Sequence, residues 1–219
     1  MTFDIRHQYV LSRQIAPHGD FSDFIMGCFE KTPRAFFLPD SLKQRAYIEG
    51  FIPLSEGRTV MTPLVLARLL KYIPITPEKN IMVVGGGTGY GASLLSYWAS
   101  TVFLLESDDR FFSEAQKGLS ALHIDNVVPC QGNLKEGLSR QGPFHTIIIE
   151  GGADYVPSCL FDQLEEESIG LFACMSSGGP TGHLRQFWRN SQGIIENKKL
   201  FEMPFFPLPE FKSPKKFEF

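Results

Sequence analysis

Apolar and polar positions follow two rhythms along this chain, and the rhythm changes where Gly and Pro punctuate it. Short apolar runs of strand length stand at residues 81–84, 102–105, 126–130, 144–149 and 171–175. Between them, apolar positions recur three and four apart, the period of a helix with one buried face. Residues 90–99 read as one helix and residues 108–122 as another, the latter with Phe111, Phe112, Ala115, Leu119 and Leu122 on one side. Residues 157–164 form a short third. This alternation predicts an α/β fold, a doubly wound and mostly parallel sheet that binds ligands at the carboxyl ends of its strands. After residue 180 the helices stop. Residues 184–188 and 194–203 read as two strands joined by the turn Asn190-Ser191-Gln192-Gly193, an antiparallel hairpin added to the sheet edge.

Ahead of this region the pattern is helical and then irregular. Residues 3–15 carry Ile5, Tyr9 and Ser12 at helical spacing, until Pro17-His18-Gly19-Asp20 breaks it. Asp20 or Ser22 caps a second helix through Phe24, Ile25 and Cys28 to Glu30. Residues 33–58 mix aromatics with Pro33, Pro39 and Pro53, which suits an irregular cover better than a strand. A helix over residues 63–72 follows, with Thr62 as cap, Pro63 in the first turn, and Leu66, Leu69 and Leu70 inward. The expected organisation is one domain over residues 1–219: a helical cover at 1–58, an α/β core at 59–180, and a hairpin with an aromatic tail at 181–219. The tail phenylalanines are expected to pack onto the surface.

Composition narrows the function classes. With 43% apolar and 21% charged residues the chain can bury a core. A net charge of -3 argues against a nucleic-acid-binding face, and Lys212, Lys215 and Lys216 read as solvated surface. Cys28, Cys130, Cys159 and Cys174 make no C-x-x-C pair, so they read as reduced thiols. The five histidines lack metal-ligand spacing, and no metal is expected. No apolar run reaches membrane length and the N-terminus lacks a signal peptide's apolar core, so no membrane partner and a cytoplasmic location are expected.

The candidate chemistry sits where the run 81–84 ends in Gly85-Gly86-Gly87-Thr88-Gly89 before Tyr90. A chain leaving a buried strand must turn sharply while its backbone lies against a ligand, and side chains would block that approach. Glu106 ends the next strand about twenty residues on, placed to accept ribose hydroxyls. Gly87, Gly89 and Ala92 also satisfy G-x-G-x-x-A, so the turn alone leaves adenosylmethionine and a nicotinamide dinucleotide both open. At Thr62, free backbone N–H groups beside hydroxyls could hold a carboxylate, or the residue could be only a cap.

Further motifs choose between them. Pro33-Arg34-Ala35-Phe36-Phe37-Leu38-Pro39 is similar to a P-R-x-x-F-V-P segment, and Ala46-Tyr47 with Pro53-Leu54 to an A-Y plus P-L run. Gly57-Arg58-Thr59-Val60-Met61-Thr62-Pro63 resembles G-x-T-I-S-x-P, and Val84 to Tyr90 resembles V-G-x-G-T-G-Y. Residues 144–150, Val156-Pro157 and Asp162-Gln163-Leu164 are similar to the strand and P-x-x-L-x-x-Q-L helix that follow. In this order the motifs resemble the protein-L-isoaspartate O-methyltransferases, in a divergent bacterial branch.

The resemblance implies a Rossmann-like class I methyltransferase that uses S-adenosylmethionine. It implies carboxyl methylation of isoaspartyl residues in damaged proteins or peptides, whose methyl ester decays through a succinimide and returns some sites to normal linkage. The hydroxyls of Thr59 and Thr62, with the backbone N–H groups near Thr62, are expected to orient the acceptor carboxylate. By the same resemblance, Gly85, Gly86, Gly87, Thr88, Gly89, Tyr90, Glu106, Ser107, Gly132 and Asn133 line the cofactor. Three positions depart from what the resemblance implies: Met61 replaces the serine that helps hold the isoaspartyl carboxylate, Val83 the acid that contacts the methionine end of the cofactor two residues before the first glycine, and Asn133 the acid after Gly132 near the adenine. Methyl transfer from a sulfonium to a carboxylate needs no base, so alignment and water exclusion carry it. The departures motivate two other readings, a methyltransferase with a different acceptor and a binding protein that kept the fold without the chemistry.

Overall fold

The computed structural model describes residues 5–55 and 57–213. The first residues of the predicted N-terminal helix, and Lys215, Lys216, Phe217 and Phe219 of the tail, lie outside them. The cover begins with α1 (Ile5–Tyr9), continues as a π-helical stretch, Val10–Ile15, and closes with a 3-10 turn, Ala16–His18. The stripe read from sequence faces solvent: Ile5 is 82% and Tyr9 58% exposed. His7, Val10, Leu11, Gln14 and Ile15 are buried instead. The buried set recurs at three- and four-residue spacing on a face that excludes Ile5 and Tyr9. His7 and Gln14 are tolerated inside because they are paired: His7 Nε2 lies 3.0 Å from Phe29 O, and Gln14 Nε2 donates to Tyr47 O at 2.8 Å.

Ser22, not Asp20, caps α2 (Asp23–Lys31), its Oγ accepting the Ile25 N–H. The stretch expected to be irregular holds two 3-10 segments, Arg34–Phe37 and Asp40–Arg45, and a small antiparallel pair, β1 (Ile52–Pro53) with β2 (Thr59–Val60). Thr62 caps α3 (Pro63–Leu70), whose Leu66, Leu69 and Leu70 are buried as predicted.

The main sheet contains β3 (Thr76–Val84), β4 (Ala99–Glu106), β5 (Val127–Gln131), β6 (Thr146–Ala153), β7 (Gly170–Ser176), β8 (Thr181–Arg189) and β9 (Ile195–Pro204). Their order is β5-β4-β3-β6-β7-β8-β9, parallel from β5 to β7 and antiparallel at β8 and β9. The doubly wound sheet and its edge hairpin are therefore as read from the sequence. The connecting helices are α4 (Tyr90–Leu95), α5 (Asp109–Ala121) and α6 (Ser158–Phe161). α4 is shorter than expected because Tyr97 and Trp98 close turns onto Leu94 and Leu95. The Trp98 indole donates to Ile73 O, and the Thr76 N–H donates to Trp98 O, which starts the sheet. α6 is likewise only one turn.

Strand residues alternate between two cores, as the pleat requires. Ile81, Val83, Val102, Leu104 and Ile148 face the larger one, with α3, α4 and the cover. Met82, Val84, Leu105, Ile147 and Ile149 face the smaller, with Leu134 and Phe144. Each such side chain, fully buried, contributes about 1.5–3 kcal/mol. Chain order reverses between β3 and β6, so the crevice for a ligand lies at their carboxyl ends.

The tail does not rest on the surface. After β9 it returns along β6: Gly152 N–H donates to Phe206 O, Leu208 N–H to Gly152 O, and Asp154 N–H to Phe211 O. These bonds sink Leu208 and Phe211 into the smaller core, at 2% and 0% exposed.

Candidate functional site

The glycine turn at the end of β3 adopts backbone angles that side chains resist. Gly85, Gly87 and Gly89 have φ of 70°, 56° and 90°, in the left-handed region that glycine enters without steric cost. Gly89 N–H closes the turn onto Gly86 O and leads into α4. Space is as tight as the angles: a Cβ on Gly86 would stand 2.5 Å from Leu104 Cδ1. Thr88 is 1% exposed, and its Oγ1 has no hydrogen-bond partner.

Glu106 is fully buried at the tip of β4. Its Oε2 accepts the Gly87 N–H at 2.9 Å; its Oε1 accepts Ser107 N–H at 2.7 Å, Asp108 N–H at 3.2 Å and Arg58 Nη2 at 3.2 Å. The acid therefore holds the turn and the start of the next loop together. Gly132 N–H donates to Glu106 O, which brings the loop after β5 beside them. The side chain of Asn133 is exposed and spent locally, donating to Glu136 Oε1 and accepting the Lys135 N–H.

Arg58 is the residue that sequence reasoning passed over. It is 5% exposed, and the β1–β2 hairpin carries it onto Glu106. The same Nη2 reaches Glu210 Oε1 at 2.8 Å and Ser107 Oγ at 3.0 Å. Arg58 Nη1 and Glu210 Oε2 are buried without a partner. Thr59, next in the chain, is half-buried at this rim. Thr62 is also half-buried, its Oγ1 accepting the Val65 N–H as the cap of α3. Met61 is only 3% exposed and belongs to the larger core.

A second acid, Glu150, lies beneath the turn. It is 5% exposed and stands in β6 where that strand passes the end of β3. Its Oε2 would be 2.3 Å from a Cβ on Gly91, so glycine at 91 leaves room for the carboxylate. Burial, with the Glu106 charge nearby, pushes its carboxyl up to about 8. Arg34 and Tyr90 face it. Arg34 Nη2 donates to Gly50 O and Val60 O, while Nε and Nη1 are buried without partners. Burial lowers Arg34 to about 10 and raises the Tyr90 phenol. The signal for Glu150 was present in the sequence: it ends a strong apolar run, as Glu106 does.

Glu106, the bare glycine backbone and the unpartnered Thr88 and Arg58 atoms fit a nucleoside with a charged chain, which S-adenosylmethionine is. When bound, that cofactor supplies a methyl group on a sulfonium. The tail lies on the same turn: Leu208 Cδ1 would be 2.9 Å from a Cβ on Gly85 and 3.1 Å from one on Gly151. Arg58, Ser107, Asp108, Pro209 and Glu210 bound a cavity of about 170 Å³. Small-molecule pockets are roughly 300–1,000 Å³, so this cavity holds only part of such a ligand, and Leu208 covers the Gly85 side of the turn.

Comparison with known proteins gives the family of the chain. The pattern that defines the family "Protein-L-isoaspartate(D-aspartate) O-methyltransferase (PCMT)" matches residues 6–213. A protein-L-isoaspartate O-methyltransferase of Synechococcus sp. (strain JA-2-3B'a(2-13)) is 30% identical over 211 residues, 94% of this chain and 86% of that protein. One from Caulobacter sp. (strain K31) is 27% identical over 184 residues, 84% of each. Among solved structures, a protein-L-isoaspartate O-methyltransferase superposes with a TM-score of 0.77 at 21% identity, over 93% of this chain and 65% of that one. A Plasmodium falciparum protein described as a putative protein-L-isoaspartate O-methyltransferase, in complex with S-adenosyl-L-homocysteine, gives 0.73 at 20% identity, over 94% and 97%. The chain belongs to the protein-L-isoaspartate(D-aspartate) O-methyltransferase family, whose members are S-adenosylmethionine-dependent carboxyl methyltransferases.

Proposed function

We propose that this chain methylates the side-chain carboxylate of isoaspartyl residues in damaged proteins or peptides. The observation that supports the reading is the tie between the β1–β2 hairpin and the glycine turn: Arg58, the residue before Thr59, bonds Glu106, whose other oxygen accepts the Gly87 N–H. Gly85, Gly86, Gly87, Thr88, Gly89 and Tyr90 form the turn that holds the cofactor. Glu106 takes its ribose hydroxyls, with Ser107, Gly132 and Asn133 along the loops beside it. Thr59 donates a hydroxyl to the acceptor carboxylate, and Thr62, whose oxygen already serves α3, can still donate its own hydrogen. A cleft of about 500 Å³, with Pro39, Leu42, Leu54, Ser55 and Phe111 in its walls, leads toward the turn and suits a peptide acceptor. Leu54 Cδ1 would be 3.4 Å from a Cβ on Gly87, which brings this cleft to the glycines. The acceptor carboxylate is its own nucleophile, so these residues orient it and keep water away without moving a proton.

An apolar Met61 in the acceptor motif would favour a less polar acceptor if it lined the site, but its side chain packs in the core. Incubation with an isoaspartyl peptide and methyl-labelled cofactor is expected to give a base-labile methyl ester, absent with the aspartyl isomer. A well-folded sample that labels neither peptide would overturn the reading in favour of a binding protein. Labelling of a different acceptor would overturn the substrate alone. Thr59→Val is expected to raise the KM for the peptide several-fold and leave the affinity for adenosylhomocysteine unchanged.

A further inference from the structure

The family motif carries an acid two residues before its first glycine, and here that position is Val83, fully buried and apolar. The neighbouring strand brings a carboxylate to the same spot. Val83 pairs with Ile148 and Val84 with Ile149 across β3 and β6, so Glu150 stands one residue past the last pair, beside the start of the turn. A Cβ on Gly86 would lie 2.9 Å from Val83 Cγ1 and 3.2 Å from Glu150 Oε2; the two side chains meet under one glycine. Glu150 alternates with Ile148, and both project toward the α4 side of the sheet, as Val83 does.

We infer that Glu150 is the carboxylate that receives the cationic α-ammonium of the cofactor's methionine end, in place of the acid absent at Val83. The inference rests on S-adenosylmethionine as the cofactor. Among the described residues Glu150 makes no hydrogen bond and no ion pair, although it is more than nine-tenths buried. Such a group is costly to the fold and is expected where a ligand completes it. The charged and titratable groups that face it are Arg34 from the cover, Tyr90 from α4 and Glu106 from β4. Arg34 is the one cation among them, and it forms no ion pair with Glu150; its Nη2 is spent on Gly50 O and Val60 O. Glu106 adds a like charge. Among the described residues no cation is in hydrogen-bond contact with the Glu150 carboxylate, and an ammonium would supply one.

Calorimetric titration of the full chain tests this with three ligands: adenosylmethionine, adenosylhomocysteine, which keeps the ammonium and loses the sulfonium charge, and methylthioadenosine, which lacks the amino-acid end. Glu150→Gln, which removes the charge at constant volume, is expected to weaken the first two by about tenfold, the contribution of one charge-assisted hydrogen bond. It should leave methylthioadenosine unchanged. The double variant Val83→Asp with Glu150→Gln returns an acid to the motif position, and should recover the affinity for adenosylhomocysteine.

Wild-type binding of adenosylhomocysteine near pH 7 should also release a proton, because the ammonium draws the carboxyl down from about 8. That release is read from the dependence of the heat on buffer ionisation, and Glu150→Gln should abolish it. Equal weakening of all three ligands would overturn the inference, leaving Glu150 a purely structural group. So would weakening of adenosylmethionine alone, which would aim the carboxylate at the sulfonium, or no weakening at all. A double variant that fails to recover affinity would overturn the exchange of one acid for the other. A folded wild type that binds none of the three would overturn both the inference and the cofactor reading beneath it.

Discussion

Two buried glutamates flank the end of β3, and they are treated differently. Glu106 and Glu150 each follow an apolar strand, and each is at least nine-tenths inside. Glu106 receives three backbone N–H groups and a guanidinium; Glu150 receives none of these. The lesson concerns cost: burying an acid is tolerable when its lone pairs are met, and expensive when they are not. Glu106 is built into the fold and can share its oxygens with a ribose. Glu150 is a place where stability has been given up next to a binding surface, a common trade in enzymes.

The comparison breaks most visibly at Glu106. Glu106→Gln takes the charge from a buried pair and leaves Arg58 with Glu210 alone, so unfolding stability should fall by about 3 kcal/mol or more, read from the urea midpoint. Glu150 should show the opposite sign. In the unfolded chain it ionises near the ordinary carboxylate pKa, about 4.3, whereas in the folded chain it keeps its proton up to about 8. Between these values the folded state binds more protons. Its contribution therefore lowers stability as pH rises from 5 to 8, by up to ~1.4 kcal/mol per pH unit, and levels off above 8. Urea midpoints across this range should show the decline, and Glu150→Gln should remove it and exceed the wild type at pH 8. The smallest effect is expected at Glu210, whose side chain is 27% exposed. Glu210→Gln should cost about 1 kcal/mol or less and, by loosening the tail, raise the affinity for adenosylhomocysteine a few-fold.

The parts of this molecule legible in its sequence are the parts decided locally. The glycine turn, Glu106, the Thr62 cap and the Asn190 to Gly193 turn each depend on residues a few positions apart, and each stands where the pattern placed it. The first helix departs from its apolar stripe because its buried face includes the polar His7 and Gln14, whose partners Phe29 O and Tyr47 O lie 22 and 33 positions away. What the sequence hid is decided by separation. Arg58 meets Glu106 across 48 positions and Glu210 across 152, distances over which no periodicity carries information. Val83 read as a lost function for the same reason: its neighbour Glu150 comes beside it only when β6 pairs with β3.

The seating of Leu208 on the glycine turn has a consequence for any measured constant. Leu208 covers Gly85, and its segment is held down by the backbone bonds joining Gly152 to Phe206 and Leu208, and Asp154 to Phe211. A ligand that touches Gly85 where Leu208 now lies has to displace it, and every ~1.4 kcal/mol spent on that displacement weakens the observed binding tenfold.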